Sequence, residues 1–356
     1  MKLVLTCGTR PEFIKMSPII KECERQDIDY FILHTGQHYS YNLDGVFFKQ
    51  LGLPNPKYNL GINETTYAGQ FSKMVNGISK VLTQEKPDVI IVEGDTISAI
   101  SGAISAHNLN IKVGHVEAGL RSYYSGMPEE INRIIIDHIS DRLFAPTEKT
   151  KQILIAEGIC GDKIDVTGNT IVDAVYQNLD KLEKINGLYI RKRGYILLTL
   201  HRQENVDNVE RFRDILDGLE LVARTFGIPI IYPIHPRSKK MIEYHNLKAG
   251  FLKIIEPVDY FQFLLLEQDA RLIFTDSGGV QEESCILGTP CVTLRDNTER
   301  PETIEVGANI LAGTEPNRIL AVSQLMINKQ CDWFNPFGDG KTGERIVNIL
   351  KESYGK

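Results

Sequence analysis

Asp88-Val-Ile-Ile-Val-Glu-Gly-Asp-Thr96 decides the fold class of this chain. Its apolar run reads as a buried strand that ends at an acid, Asp95. Two further segments repeat the theme within 35 residues: Ile111-Lys-Val-Gly-His-Val-Glu117 closes on Glu117, and Pro128-Glu-Glu-Ile-Asn-Arg133 opens a helix with Glu129 in its first turn. In an open parallel sheet, ligands bind just beyond the carboxyl ends of the strands. Acids gathered there point to proton transfer at a bound small molecule. The structural alternative is helix capping and loop salt bridges, which suits Glu129 and the preceding Pro128 best. One such acid would be unremarkable; three at neighbouring strand ends, with Arg121 and Arg133 close in sequence, favour chemistry.

The pattern continues along the whole chain. Lys2–Thr6, Tyr30–Thr35, Val89–Glu93, Lys112–Val116, Leu143–Ala145 and Lys163–Thr167 read as short buried strands, with helical stretches at Glu12–Arg25, Tyr67–Gln84 and Ile131–Ser140. Such alternation implies right-handed βαβ units and a parallel sheet. A second series follows at Tyr195–Leu200, Pro229–Pro233, Leu252–Ile255, Arg271–Thr275 and Pro290–Leu294. Between the two series lie a helix, Asn169–Ile185, and polar segments at Asn186-Gly187 and Arg191-Lys-Arg-Gly194. The expected class is α/β, two Rossmann-like domains with parallel sheets facing a cleft, divided near Gly168. The expected domains are residues 1–168 with the acid cluster, 169–342, and a final helix in 343–356 that fits either.

Composition narrows the function. A chain of 356 residues exceeds a typical single core. Forty basic against 46 acidic residues give a net charge of −6, which argues against a dedicated nucleic-acid binder. No apolar run approaches the length of a membrane span, and the opening Met1-Lys-Leu-Val-Leu-Thr-Cys7 reads as a first strand rather than a signal peptide. Six cysteines contain no CxxC pair and read as free thiols in a reducing cytoplasm. The histidines show neither HxxxH nor HExxH, so no catalytic metal is expected.

Three other segments could bind a ligand. Gly8-Thr-Arg-Pro-Glu12 joins the first strand to the first helix, where glycine lets the backbone approach an anion and Arg10 and Lys15 add charge. Asp276-Ser-Gly-Gly-Val-Gln-Glu-Glu283 follows a strand and offers Ser277, Gly278 and Gly279 at a helix start, which suits a diphosphate; Glu282 or Glu283 is within reach of a ribose diol. His201 and His235 each follow a strand directly, placing a hydrogen-bonding or proton-transferring ring at its end. GxGxxG is absent, and Gly338-Asp-Gly-Lys-Thr342 lacks the first glycine of a P-loop and follows no strand, so no nicotinamide or ATP site is expected.

Taken together, Gly8-Thr-Arg-Pro-Glu12, Gly94-Asp-Thr96, His115-Val-Glu-Ala-Gly-Leu-Arg121, Pro128-Glu-Glu-Ile-Asn-Arg133, Gly168-Asn-Thr170, Asp276-Ser-Gly-Gly279 and Thr298-Glu-Arg-Pro-Glu302 resemble the non-hydrolysing UDP-N-acetylglucosamine 2-epimerases, in order and over nearly the whole chain. The resemblance implies a GT-B fold, a last helix that crosses back to the first domain, a homodimer and no cofactor. It implies that Arg10, Lys15, His201, Phe263, Ser277, Gly278, Gly279, Glu283 and Arg300 hold UDP. Asp95, Glu117 and Glu129 would handle protons at the sugar, with Arg133 and His201 assisting. The chain departs from the bacterial pattern at Tyr39-Ser-Tyr-Asn42, beside a second, activating substrate site, while Gln37, Arg202 and His235 remain as effector-site candidates.

The implied reaction is reversible conversion of UDP-N-acetylglucosamine to UDP-N-acetylmannosamine, through loss of UDP to a 2-acetamidoglucal and its return. Two neighbouring activities share most of these motifs: a 2-epimerase of UDP-2,3-diacetamido-2,3-dideoxy-glucuronic acid, and a hydrolysing epimerase, which the Gly-Thr-Arg-Pro-Glu opening disfavours. A GT-B glycosyltransferase would need an acceptor groove. A nucleotide-sugar sensor would have no use for the acid cluster.

Overall fold

A computed structural model describes residues 1–36, 48–62, 64–124, 126–182 and 191–355. The chain divides into two compact units, Met1–Tyr176 with Phe337–Lys356, and Gln177–Pro336. In the first, β1 (Lys2–Cys7), β2 (Asp29–His34), β3 (Tyr58–Asn59), β4 (Val89–Glu93), β5 (Lys112–Val116), β6 (Arg142–Ala145) and β7 (Ile164–Val166) form one sheet in the order β3-β2-β1-β4-β5-β6-β7. Every neighbouring pair is parallel. In the second, β8 (Ile196–Thr199), β9 (Ile230–Pro233), β10 (Leu252–Ile255), β11 (Leu272–Thr275), β12 (Cys291–Thr293) and β13 (Asn309–Leu311) line up as β10-β9-β8-β11-β12-β13, again all parallel.

Buried parallel strands need apolar side chains on both faces, and β4 meets that demand with five buried residues, the last of them Glu93. Helices Tyr67–Glu85 and Ile97–Asn108 pack their Met74, Ile78, Leu82, Ala99 and Ala103 on one face of the first sheet, against Val4, Ile90 and Val92. Helices Val209–Phe226 and Pro316–Met326 do the same for the second unit through Phe212, Leu216, Leu219, Ile319 and Val322.

Both sheets reverse strand order once. The switch falls between β1 and β4 in the first unit and between β8 and β11 in the second. Each switch opens a crevice at the carboxyl ends of its two central strands, where loops diverge to opposite faces. The turns Gly8–Glu12 and Gly94–Thr96 stand at the first crevice, and His201 and Asp276–Gly279 at the second.

The division lies several residues beyond Gly168 and short of Thr342, for local reasons. The Asn169 amide donates to the Phe337 carbonyl at 2.8 Å, and the Gly343 amide donates to Asp173 Oδ1 at 2.9 Å. The Phe337 ring is fully buried in the first unit, worth about 1.5–3 kcal/mol. The final helix, Thr342–Tyr354, packs on the first helix, Arg10–Arg25. A Cβ on Gly343 would stand 2.9 Å from the Pro18 backbone, so only glycine allows that approach.

Most expected elements differ from the observed ones by one to three residues at their ends. Tyr58–Asn59 and Asn309–Leu311 were not expected as strands. The first is two residues long, and the second carries buried Asn309, whose amide bonds Gln281 and Thr303 and whose carbonyl accepts from Thr293. The expected helix Asn169–Ile185 runs Thr170–Leu182; its last residues, with Asn186-Gly187, lie outside the described residues.

The loop after β5 depends on one glycine. Gly119 has φ +84°, and a Cβ there would lie 2.5 Å from the Thr150 carbonyl oxygen. Gly119→Ala is expected to cost about 1–3 kcal/mol in backbone strain alone, read as a clear drop in the melting temperature by circular dichroism.

Candidate functional site

The first crevice is built around Glu12. Its Oε2 accepts from the amides of Gly8 (3.0 Å) and Thr9 (2.7 Å) and from the Thr9 hydroxyl, and its Oε1 accepts from Thr96 across the switch at 2.7 Å. The Gly8 and Thr9 amides expected to meet an anion are thus bound to Glu12. A Cβ on Gly8 would fall 2.0 Å from Ser98 Oγ and 2.2 Å from Thr35 Oγ1, so this glycine is required by packing. Burial raises the Glu12 pKa against the pull of these four donors.

Glu117 follows β5 in a left-handed backbone conformation, φ +66°, a strained one for a side chain with a Cβ. It is buried, hydrogen-bonded by the Lys15 ammonium, and accepts from Asn169 Nδ2 at 2.8 Å. Lys15, expected to hold UDP, has its ammonium buried here, 3.4 Å from Glu93 Oε1 as well. Glu93 is the last residue of β4 and shares the Lys15 ammonium with Glu117. Burial, together with the negative charges of Glu117 and Glu12, pushes its carboxyl well above the usual range, with Lys15 opposing.

Asp95 follows the β4 turn and is partly exposed. Its Oδ2 accepts from Arg133 Nη2 at 2.6 Å, and its carbonyl accepts from Asn132 Nδ2 at 2.8 Å. Asn132 in turn accepts from the Tyr67 hydroxyl at 2.7 Å. Arg133 also pairs with Glu130, whose carboxylate caps the Ser122 and Tyr123 amides. His115 joins Asp137 through Nδ1 (2.7 Å) and the Gly94 carbonyl through Nε2 (2.9 Å), fixing the turn that carries Asp95. Arg121 is committed to Asp137 and Glu157. Glu129 is half-buried in the first turn of Pro128–Ile139, near Tyr67. Of the expected acids, the structure brings Asp95 against Arg133 and Glu117 against Lys15.

In the second unit the organiser is Asp276, fully buried at the end of β11. It accepts from the amides of His201 (3.2 Å) and Arg202 (2.9 Å) and from Asn205 Nδ2 (3.3 Å), with His201 Nδ1 at 3.4 Å. This clamps the turn after β8 across the switch. Burial lowers the His201 pKa; Asp276 opposes it, while Arg202, Arg295 and Arg237 reinforce it. A neutral ring at pH 7 follows, able to donate at one nitrogen and accept at the other.

Ser277 is the N-cap of helix Gly278–Leu287, and its side chain makes no capping bond. A Cβ on Gly279 would meet only Ser277 Oγ, at 3.9 Å, so the space before this helix is open. Glu282 receives Arg300 Nε at 2.5 Å, while Glu283 lies close to Tyr260 and to buried Glu267. Against His201 a pocket of about 150 Å³ is lined by Thr199, His235, Pro257, Val258 and Phe263. His235 caps helix Pro236–Tyr244, accepting from the Arg237 amide at 3.2 Å, and its ring lies 5.9 Å from His201. Arg202 reaches Glu299 at 3.4 Å. Gln37, the other effector candidate, lies outside the described residues.

Among the described residues no group of three or more His, Cys, Asp or Glu is placed to hold a metal ion, and no helix is long and apolar enough to cross a membrane. Cys7, Cys23, Cys285 and Cys291 are buried and Cys160 and Cys331 exposed, all as free thiols.

Residues 21–351 match the family described as UDP-N-acetylglucosamine 2-epimerase. The UDP-N-acetylglucosamine 2-epimerase of Methanocaldococcus jannaschii is 54% identical over 367 residues, covering all of both chains. The chain belongs to the UDP-N-acetylglucosamine 2-epimerase family. The crystal structure of the Methanocaldococcus jannaschii enzyme in complex with UDP-GlcNAc and UDP has a TM-score of 0.94 and 54% identity, covering 99% of this chain and 100% of that one. The UDP-2,3-diacetamido-2,3-dideoxy-D-glucuronate 2-epimerase of Pseudomonas aeruginosa is 38% identical, covering 98% of this chain and 99% of that protein. The family is one of isomerases, and the fold is of the GT-B type, with two Rossmann-like domains in one chain.

Sequence reasoning gave no role to Glu93, Glu12, Asn169 or Asp276. Glu93 carried a readable signal, a lone acid closing an otherwise apolar buried strand. Asp276 looked like part of a phosphate loop, and only the pairing of β8 with β11 shows it serving the opposite turn.

Proposed function

We propose that the protein interconverts UDP-N-acetylglucosamine and UDP-N-acetylmannosamine by eliminating UDP and adding it back. The observation that carries this reading is the acid cluster at the first switch point, with Asp95 paired to Arg133 and Glu117 to Lys15. The first unit handles protons and the second holds the nucleotide.

The chemistry follows from the substrate. The C2 hydrogen is not acidic, since C1 bears no carbonyl. Breaking the anomeric C–O bond makes C1 cationic, and the adjacent C2 proton becomes removable. The electron pair of the C2–H bond becomes the C1=C2 double bond of the glucal, and UDP departs with the C1–O pair. Reprotonation from the other face and return of UDP yield the manno isomer. Asp95, Glu117 and Glu129 supply acid and base; Arg133 orients Asp95. The open first turn at Ser277-Gly-Gly279 receives the diphosphate through backbone N–H groups and the helix dipole, and His201 adds a donor to the leaving charge. The small pocket accepts the uracil against Phe263. It is well below the roughly 300–1,000 Å³ of a site for a drug-sized ligand, so it admits one ring.

The diacetamido-glucuronate reading is supported by the Pseudomonas aeruginosa relative. That substrate needs a cation for its carboxylate. Near the acid cluster, Lys15, Arg133 and Arg121 are already committed to buried acids, which favours the uncharged sugar. Six free thiols and a nucleotide-sugar substrate fit a reducing cytoplasm, and a homodimer is expected from the family resemblance.

Proton NMR of the protein with UDP-N-acetylglucosamine in deuterated water tests the proposal. A growing UDP-N-acetylmannosamine signal with deuterium at C2 is expected. Free N-acetylmannosamine with UDP, or no reaction with this sugar and turnover of the diacetamido-uronate, would overturn it. Phe263→Ala is expected to weaken UDP binding about tenfold by titration calorimetry, the scale of one lost base-stacking contact.

A further inference from the structure

We infer that Glu93 is a positioning residue for the proton chemistry at Glu117, holding a proton in the resting protein and donating it to the Glu117 carboxylate in a hydrogen bond. The inference rests on the proposed epimerase reading.

Three observations carry it. First, Glu93 and Glu117 are both buried around one ammonium, and two buried carboxyls so placed escape like-charge repulsion when one of them keeps its proton. Second, one cation serves both: Lys15 Nζ bonds Glu117 and stands 3.4 Å from Glu93 Oε1. With one shared proton the trio carries no net charge, the least costly state for buried ions. Third, the donors are unequally divided. Glu117 has Lys15 and Asn169, whereas Glu93 Oε1 has no hydrogen-bond partner among the described residues. A carboxylate belongs where the donors are, and the neutral acid where they are not. The groups facing Glu93 are Lys15 and Glu12 from the first helix, Cys7 from β1 and Glu117 from the end of β5. Lys15 alone among them bears positive charge, and burial pushes Glu93 well above the usual carboxyl range.

The consequence is chemical. A second charge at Glu93 would make Glu117 hold its own proton too tightly to return it. A neutral donor at Glu93 keeps Glu117 ionised and ready to accept one. When the C2–H bond breaks, the new O–H bond forms on Glu117, and the Glu93 O–H bond persists; the reverse step returns the Glu117 proton to carbon.

Infrared difference spectroscopy of wild type minus Glu93→Gln at pH 7 tests the protonation without reference to activity. A protonated carboxyl C=O band that vanishes in Glu93→Gln is expected; no change in that band region overturns the inference. In the epimerisation assay, Glu93→Leu is expected to lower kcat by roughly 10²-fold, the scale of lost acid–base assistance. Glu93→Gln keeps a neutral donor and is expected to retain most turnover, with the alkaline limb of its pH profile moved upward. Equal losses in Gln and Leu, with the wild-type pH profile kept, would reduce Glu93 to packing and overturn the proposal. Absence of epimerisation by the wild type would sink the epimerase reading and leave the infrared result standing.

Discussion

Asp95→Asn and Glu117→Gln are each expected to lower turnover of UDP-N-acetylglucosamine by about two orders of magnitude or more, while UDP still binds. The size is that of removing general acid–base catalysis. Asparagine and glutamine keep shape and polarity but carry no exchangeable carboxyl proton. Both variants should fold. Arg133 retains Glu130 when Asp95 is neutralised, and Glu117→Gln leaves an amide oxygen facing Lys15 and Asn169. Their nucleotide affinity should persist because the proposed diphosphate and base contacts are on the other unit. The loss should therefore appear in kcat more than in KM, the mark of an interaction made in the transition state. Steady-state assays beside UDP calorimetry read both quantities. Wild-type turnover in both variants would remove the acid cluster from the mechanism.

Asp276→Ala is expected to damage stability and nucleotide binding together. The side chain is fully buried and holds the amides of His201 and Arg202 and the side chain of Asn205. Each donor left unsatisfied costs about 1–3 kcal/mol when buried. These are part-buried or buried, so a total near 3–4 kcal/mol is expected, lowering the melting temperature by roughly 10 °C for a unit of this size. The turn bearing His201 would then lose its position beside the Ser277 helix start, and UDP affinity should fall at least about tenfold. Asp276→Asn, which keeps one acceptor oxygen, should fall between wild type and Ala on both scales. Unchanged UDP affinity in a folded Asp276→Asn would show that the turn is not part of the nucleotide site. Thermal melts and calorimetry on the same samples separate the two effects.

The sequence exposed the fold well because buried parallel strands carry a strong local signal. Val89-Ile-Ile-Val92 and its counterparts gave strands whose ends lay within a few residues of the observed ones. Short edge strands such as Tyr58–Asn59 had no such signal, since two residues make no pattern and their pairing with β2 is decided by the neighbour. The candidate acids were legible in the same way, as carboxylates closing apolar runs. Their partners were not. Lys15 looked like a free cation before a diphosphate, and the fold buries it between Glu117 and Glu93, far along the chain from it. Glu130, not the half-buried Glu129, takes the ion pair with Arg133, although helical spacing alone would allow either acid to reach it.

By itself, the sequence determined two series of βαβ units, the strand ends where acids and glycines would gather, and membership of an epimerase family. These are local or cumulative signals, written in hydrophobic runs and ordered motifs. Tertiary structure alone decided which groups share charge: that Glu12 spans the first switch to Thr96, that Asp276 clamps the turn after β8, and that one lysine serves two buried glutamates. The reason is that ionisation and hydrogen bonding depend on burial and on neighbours brought together by strand order, and strand order joins residues remote in sequence.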